Sequence, residues 1–146
     1  MNTNRADEEV PLLHLLPIMQ RLIRLTDAHK EYGLTKSQAV LMIALRYRGS
    51  VNMSEIAQYI SSSKEQATRA VSALHDRGLV ERFEQPENRT HVYIRLSEDG
   101  RSFIETFELQ LRTGIVEKLK SSLSPEEIET LRDAVQTAID ILSKVK

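Results

Sequence analysis

The fold is decided by residues 53–96, which read MSEIAQYISSSKEQATRAVSALHDRGLVERFEQPENRTHVYIRL. Two helices are predicted in the first half of this stretch, over 53–60 and 64–77, because apolar residues recur there every three or four positions. Each helix is preceded by a polar capping residue, with Glu or Gln three positions further on to return the hydrogen bond. The two motifs are Asn52-x-x-Glu55 and Ser63-x-x-Gln66. The stretch therefore begins with two helices joined by a tight turn.

The second half of the stretch changes its hydrophobic period. Residues 79–85 and 90–96 are rich in β-favouring side chains, and in the second run apolar and polar residues alternate. The residues between the runs, 86–89, are typical of turns, which predicts a β-hairpin with Arg89 at its tip. Two helices followed by a hairpin are the outline of a winged helix-turn-helix.

Helical patterns flank this outline on both sides. An apolar stripe from Val10 to about Lys30 predicts a helix that Pro17 kinks or delays and that Gly33 ends. A short strand is predicted at Val51. The other flanking helices begin at polar capping residues. These are Thr35, Ser97 and Ser124.

The predicted fold class is mainly α with a small β-hairpin wing (α+β). A winged helix-turn-helix over 34–97 would lie between an N-terminal helix over 1–33 and C-terminal helices over 98–146. The flanking helices are amphipathic and too long to bury their stripes against so small a middle segment, so they need a partner surface. We therefore interpret them as dimerisation helices.

The composition excludes several classes of protein and of functional site. The 146 residues carry 20 basic and 21 acidic side chains and no cysteine, which excludes a disulfide framework, a thiolate zinc site and a cysteine nucleophile. No Gly-x-Ser-x-Gly elbow or glycine-rich phosphate loop occurs, and the histidines lack the spacing of metal ligands. We expect a cytoplasmic protein that is no enzyme, holds no metal or cofactor and does not cross a membrane.

The outer face of the predicted helix over 64–77 is polar. Its first turn offers short hydroxyls and free backbone N–H groups to phosphate, and longer side chains follow that could reach base edges. Gln66 suits adenine and Arg69 suits guanine, whereas Glu65 would have to accept from cytosine or orient Arg69. The predicted DNA-contacting residues are Ser62, Ser63, Lys64, Glu65, Gln66, Thr68, Arg69 and Ser72.

The predicted wing adds a second contact. A long cation on a narrow loop can enter the minor groove of DNA, and Arg89, between Asn88 and Thr90, is such a cation. Taken singly, the polar helix face and the exposed arginine are typical of ordinary solvated surface. Their combination favours a nucleic-acid contact.

Several motifs resemble those of the MarR family of bacterial transcriptional regulators, in the same order and spacing. The join of RGLVER (77–82) to a wing that ends in LSEDG (96–100) is fairly specific. The wing of that family usually has Asp-x-Arg or Asp-Arg-Arg, where this chain has Asn88-Arg89-Thr90. The further stretches that carry the resemblance are LTKSQAVL (34–41), MSEIA (53–57) and PENR (86–89).

The resemblance implies a homodimer on double-stranded DNA. Its terminal helices, about 10–30 and 98–146, would interleave and hold two winged-helix lobes on a palindromic operator. The two recognition helices would then lie about 34 Å apart, one turn of DNA. The simplest role that the resemblance implies is a repressor that blocks polymerase by occupancy.

The resemblance also implies a small aromatic or anionic ligand whose binding releases the DNA. Its cleft would lie between the dimerisation helices and the DNA-binding lobe. An aliphatic or methionine stripe at helical spacing is more often simply core, so the residues alone do not establish such a cleft. The candidate lining residues are Leu15, Met19, Leu22, His29, Leu41, Met42, Leu45, Arg46 and Tyr47.

A second interpretation stays open at this point: a winged-helix module that binds protein instead of DNA. A protein-binding wing would expose apolar side chains at its tip. A DNA reader that makes several phosphate contacts would lose affinity steeply as salt rises. The composition of the wing tip and the salt dependence therefore separate the two classes.

Overall fold

The order of helices and strands follows the prediction in residues 10–24 and 27–145, which the computed structural model describes. A four-residue helix is added before the helix-turn-helix. In chain order the elements are α1 (Val10–Arg24), α2 (Ala28–Glu31), α3 (Lys36–Arg48), β1 (Ser50–Asn52), α4 (Met53–Tyr59), α5 (Lys64–Asp76), β2 (Val80–Gln85), β3 (Asn88–Leu96), α6 (Glu98–Ser122) and α7 (Pro125–Leu142).

The chain divides into two units. The winged-helix unit, residues 27–110, contains α2 to β3 and the first half of α6, so it extends beyond the predicted 34–97 at both ends. The terminal-helix unit contains α1, the second half of α6 and α7.

The predicted helix starts are formed by side-chain caps. The Thr35 hydroxyl accepts a hydrogen bond from the backbone N–H of Gln38 at 3.2 Å, and the Gln38 side chain accepts one from the N–H of Thr35 at 3.0 Å. Such a cap stabilises a helix by about 1 kcal/mol, because it pairs N–H groups that have no partner within the helix. The same reciprocal pair of bonds begins α4 and α7, at Asn52–Glu55 and Ser124–Glu127.

The first predicted helix is interrupted. α1 ends at Arg24 and α2 begins at Ala28, so the prediction of one continuous helix to about Lys30 is wrong. The backbone leaves the helical conformation at Asp27, whose φ of 32° lies in the left-handed region, where Asp is better tolerated than most residues. Pro17 lies inside α1, so the predicted delay of the helix start is not seen.

The wing belongs to a three-stranded antiparallel sheet in the order β1-β3-β2. The short strand predicted at Val51 is confirmed, and Val51 pairs with Ile94 of β3. Along β3 the predicted alternation is also seen, because Ile94 and Leu96 are buried while Arg95 between them is exposed. The sheet thus fastens the base of the hairpin to the helix-turn-helix.

The turn of the hairpin is shorter than predicted. Gln85 pairs with Asn88, after an irregularity in the register, so the loop consists of Pro86 and Glu87 alone. Proline favours such a position because its ring fixes φ where a turn requires it. The prediction that Arg89 lies at the tip is therefore wrong. Arg89 is the second residue of β3, next to the tip.

The core of the winged-helix unit receives side chains from α3, α4, α5, the sheet and the first half of α6. Full burial of one such aliphatic or aromatic side chain contributes about 1.5–3 kcal/mol to stability. The largest fully buried side chains are Phe107, Leu41, Met42, Leu45, Ile56, Leu74, Ile94, Ile104, Val51 and Val71.

Arg77 anchors the C-terminal end of α5. Its guanidinium donates hydrogen bonds to the carbonyl oxygens of Tyr32 and Gly33, both at 3.1 Å. It also lies over the ring of Phe103 in α6, 5.3 Å from the ring centroid. These contacts join α5 to the loop before α3 and to α6, which fixes the direction of α5 within the unit.

The helices of the terminal-helix unit expose their apolar stripes. α7 has no buried residue, and Val135 and Ile139 are 47% and 51% exposed. In α1 the exposed large apolar residues are Leu12, Leu13, Leu15, Leu16, Ile18 and Met19. Monomeric proteins rarely leave large contiguous apolar patches in water.

Among the described residues, no helix has both the length and the apolar character needed to cross a membrane.

Candidate nucleic-acid interface

α5 has one buried face and one exposed face. The small side chains on the buried face let α4 and α5 pack closely at a steep angle, as a helix-turn-helix requires. That face consists of Ala67, Ala70, Val71 and Leu74. Of the residues predicted to contact DNA from this segment, Ser62 and Ser72 are half-buried. The exposed ones are Ser63, Lys64, Glu65, Gln66, Thr68 and Arg69.

The hydroxyl groups around the start of α5 bind the local backbone. The Ser63 hydroxyl accepts from the N–H of Gln66 at 3.3 Å, and the Ser62 hydroxyl donates to the Ser63 carbonyl at 3.2 Å. Thr68 donates to the carbonyl of Lys64 at 2.8 Å. These three hydroxyls therefore shape the start of the helix, and the longer side chains are left to extend from it.

Glu65 carries a negative charge on the exposed face. Hydrogen bonds from its own backbone N–H and from the Ser63 hydroxyl lower the pKa of the Glu65 carboxyl. The positive charges of Arg69 and Lys64 lower this pKa further. The carboxyl is therefore ionised at neutral pH, and it can accept hydrogen bonds but not donate them.

The wing brings its predicted residues together beside the tip. Thr90 donates a hydrogen bond to the Asn88 side-chain oxygen at 2.5 Å, so these two side chains hold each other. Arg89 between them is exposed. The arginine is thus the long cation that this end of the wing presents to solvent.

Arg82 is a residue of this surface that the sequence analysis missed. It lies on β2, and its guanidinium donates to the Ser72 hydroxyl of α5 at 3.2 Å. The contact joins the wing to the exposed face of α5. The signal for it was strand alternation, because Arg82 shares a face of β2 with buried Val80 and must point toward the helices.

The opposite face of the wing is held by its own cluster. Arg95 donates to Glu81 at 3.1 Å and lies over the ring of Phe83, 4.6 Å from its centroid. Phe83 in turn stacks on Tyr93 with ring centroids 5.9 Å apart. These cross-strand pairs stiffen the hairpin that carries Arg89.

The residues predicted to line a ligand cleft fall in both units. In the winged-helix unit, Leu41, Met42 and Leu45 are core residues, His29 is half-buried and Tyr47 is exposed. On α1 of the terminal-helix unit, Leu15 and Met19 are exposed and Leu22 is half-buried. A cavity of about 490 Å³ at the α6–α7 corner is lined by other residues. They are Lys120, Leu123, Pro125, Ile128, Glu129 and Arg132.

Arg46 is engaged with two carboxylates of α6. Its guanidinium donates to Glu105 at 3.1 Å and lies 3.8 Å from a Glu108 oxygen. The other Glu108 oxygen is buried and has no hydrogen-bond partner among the described residues. An anion that bound Arg46 would therefore have to displace a carboxylate.

Comparison with known proteins adds the family. The MarR family model matches residues 34–92, from the loop before α3 into β3. The uncharacterized HTH-type transcriptional regulator YhbI of Bacillus subtilis is 30% identical over 94 residues, which are 62% of this chain and 61% of that protein. The matched part of the chain thus spans about three fifths of that relative.

Solved structures share the fold. MarR of Escherichia coli in its apo form has a TM-score of 0.74 at 21% identity, covering 88% of this chain and 94% of that chain. A variant of it complexed with operator DNA has a TM-score of 0.64 at 21% identity, covering 94% and 99%. NadR in complex with 4-hydroxyphenylacetate has a TM-score of 0.70 at 17% identity, covering 92% of each chain. At these identities the likeness concerns the fold alone.

Residues 53–96 form a helix-turn-helix whose second helix turns a polar face outward beside a hairpin, and this defines a winged helix-turn-helix protein. The family match covers nearly all of that segment and α3 before it. Over residues 34–92 the chain is similar to the MarR family. Members of that family are transcriptional regulators and not enzymes.

Proposed function

We propose that this protein is a DNA-binding transcriptional regulator that lays α5 in the major groove and Arg89 in the adjacent minor groove. The observation that carries the proposal is the exposed polar face of α5, which the core holds in place while Arg82 joins it to the wing. The recognition helix of such motifs reads base edges with its N-terminal residues. The E. coli MarR variant with operator DNA supports the same use of this fold.

The terminal-helix unit supports a homodimer. The apolar stripes of α1 and α7 are exposed, and a second copy would bury both in one symmetric interface. Two-fold symmetry would then present two copies of α5 to a palindromic operator, about 34 Å apart. Occupying that operator would make the protein a repressor in the simplest case.

The wing tip favours DNA over a protein partner. The tip loop is Pro86 and Glu87, and exposed Arg89 is the second residue after it. A wing that docked on protein would present apolar side chains there, because apolar burial drives most protein association. Apart from Pro86 itself, the apolar side chain nearest the tip by strand pairing is Val92, which pairs with Glu84.

In-vitro selection of bound DNA with the full-length chain, followed by a salt titration, tests the proposal. We expect a palindromic motif to be enriched. The logarithm of affinity should fall with the logarithm of salt concentration by about 0.9 for each phosphate contact. Failure to enrich any sequence, or an affinity that does not change with salt, would contradict a DNA-reading function.

Two arginine variants should differ in kind. Arg69→Ala is expected to cost about 1–3 kcal/mol on the selected operator and to relax the base preference at one position in each half-site. Arg89→Ala should weaken binding across many sequences and reduce the salt slope by about one, because it removes a cation that the negative potential of the minor groove attracts. Competition assays with single-base operator variants measure both effects. Arg101→Ala is the charge-matched control: Arg101 is an exposed residue of α6 outside the proposed contact surface, so this variant should bind as the parent does.

We further infer that a small aromatic or anionic ligand releases the DNA. NadR, which shares the fold, is solved with 4-hydroxyphenylacetate, and this supports the ligand class. Arg46 is the arginine among the predicted cleft residues, and an anionic ligand would have to displace Glu105 or Glu108 from it. A thermal-shift panel of phenolic acids should find a compound that raises the melting temperature and weakens operator binding. A panel in which no compound shifts the melting temperature or affects the DNA complex would contradict this inference.

A further inference from the structure

The direction in which α5 presents its side chains can be derived from its buried face. Successive residues of an α-helix are rotated by about 100° around its axis, so each side chain has a known angular position. The centre of the exposed face lies opposite the mean position of the buried residues, and Glu65 is within about 10° of that centre. The buried residues are Ala67, Ala70, Val71 and Leu74. Arg69 and Ser72 lie about 30° to either side of the centre of the exposed face, while Gln66 lies about 90° away. Glu65 is therefore the residue at the centre of the exposed face.

Of the residues near the centre of this face in the N-terminal part of α5, Glu65 and Arg69 are the exposed ones. Ser72 is half-buried and its hydroxyl accepts from Arg82. Arg69 is exposed and lies one helical turn beyond Glu65. The first turn of α5 also contains the N-terminal residues that enter the groove in proteins of this class. A helix laid in the groove by this face brings Glu65 and Arg69 to neighbouring base pairs.

The chemistry of an ionised carboxylate limits what Glu65 can contact there. It accepts hydrogen bonds only, and it repels phosphate oxygens. In the major groove, guanine presents two acceptors and thymine presents an acceptor and a methyl group, so both would be disfavoured. Amino groups that donate are found on cytosine and adenine. Cytosine presents its amino group without an adjacent acceptor, whereas N7 of adenine would face the second carboxylate oxygen.

We propose that Glu65 is a specificity-determining residue that selects a cytosine in each half-site by accepting a hydrogen bond from its amino group. The proposal rests on the proposed function, since it assigns one base to the same surface. Arg69, one turn further along α5, would read a guanine at a neighbouring step. The carboxylate also lowers affinity for DNA in general, because it places a negative charge at the centre of the contact face.

The competing explanation is that Glu65 serves only the helix. A carboxylate in the first turn interacts favourably with the positive end of the helix dipole. If that were its whole role, Glu65→Gln would lower stability and change the affinity for all DNA sequences by one common factor. A base contact instead changes one position of the selected motif, which a purely structural role would leave unaltered.

The test is in-vitro selection with the full-length parent, with Glu65→Gln and Glu65→Ala, and with Asp76→Asn as control. Asp76 points in nearly the same direction as Glu65 but lies about 16 Å further along α5. Asp76→Asn removes one negative charge, as Glu65→Gln does. We expect the parent to require cytosine at one position of each half-site. Glu65→Ala should reduce that preference by about tenfold or more and raise affinity for random DNA a few-fold. Asp76→Asn should keep the motif of the parent.

The outcomes separate this proposal from the proposed function. A parent that selects a palindrome while both Glu65 variants keep an identical motif would overturn the role of Glu65 and leave the DNA-binding function intact. A position that depends on Glu65 but prefers adenine would overturn the cytosine assignment. A parent that enriches no sequence would overturn the proposed function, and the role of Glu65 with it.

Discussion

Gly100→Ala is expected to lower the free energy of unfolding by about 3 kcal/mol or more, at the upper end of what overpacking costs. A Cβ atom on Gly100 would lie 1.9 Å from the carbonyl oxygen of Leu79 and 2.9 Å from its carbonyl carbon. No side chain can adjust to relieve this clash, because both atoms belong to the backbone. Either the start of α6 or the strand entry at Leu79 would have to move.

The Leu79 backbone is held from several sides, which is why movement is costly. Its N–H donates to the Leu74 carbonyl at 3.0 Å, and its carbonyl accepts from the N–H of Ser97 at 3.1 Å. The Ser97 hydroxyl donates to the Gly78 carbonyl at 2.5 Å and accepts from the N–H of Gly100 at 2.9 Å. A shift that accommodated the methyl group would break bonds in this network.

Thermal and urea unfolding of the full-length chain measure the effect. For a unit of this size, 3 kcal/mol corresponds to a fall in Tm of about 15 °C. Gly49→Ala is the matched control: Gly49 has φ 79° but open space around its Cβ position, so only backbone strain of about 1–2 kcal/mol is expected. A Gly100→Ala variant no less stable than Gly49→Ala would contradict the steric argument.

Much of the fold could be predicted because its signals are local in sequence. A polar cap three positions before Glu or Gln specifies a helix start almost without reference to the rest of the chain, as at Thr35, Asn52 and Ser124. The change from a helical to an alternating hydrophobic period likewise predicted the hairpin without reference to the rest of the chain. Even β1 was indicated, by the single apolar residue Val51 that the sheet buries.

The parts of the fold prediction that were wrong depend on the backbone conformation of one residue or on the pairing of two strands. Periodicity continues across Asp27, and only its positive φ shows that the helix stops. The tip of the wing depends on the pairing of Gln85 with Asn88, which composition alone does not determine.

The exposure of the candidate site could be predicted better than its contacts. Most of the side chains predicted on the outer face of α5 are exposed, because burial of one face follows from the helical period, whereas Ser72 is half-buried. The buried stripe of Ala67, Ala70, Val71 and Leu74 follows from the same period, and it centres the face on Glu65 and places Gln66 on its flank. The contact of Arg82 was not predicted, because its partner Ser72 lies on another element.

Two charges placed in the apolar stripe of α7 should separate the proposed dimer and, with it, remove most operator affinity. Val135→Asp with Ile139→Asp would put four carboxylates into a two-fold interface, where unpaired charge cannot be solvated. We expect sedimentation to report half the molecular mass of the parent. Operator affinity should fall by about 10²–10⁴, because each half-site is then bound independently.

Thr130→Asp with Thr137→Asp is the matched control, because it adds the same charge to the opposite face of α7, where both residues are exposed. This variant should sediment and bind the operator as the parent does. Circular dichroism would confirm that both pairs of substitutions leave the helices formed, so that loss of assembly is not mistaken for unfolding. A stripe variant that stays dimeric, or that is monomeric and still binds the palindrome with the parent's affinity, would contradict the proposed assembly. Either result would mean that something other than the apolar stripes of the terminal-helix unit brings two recognition helices onto one operator.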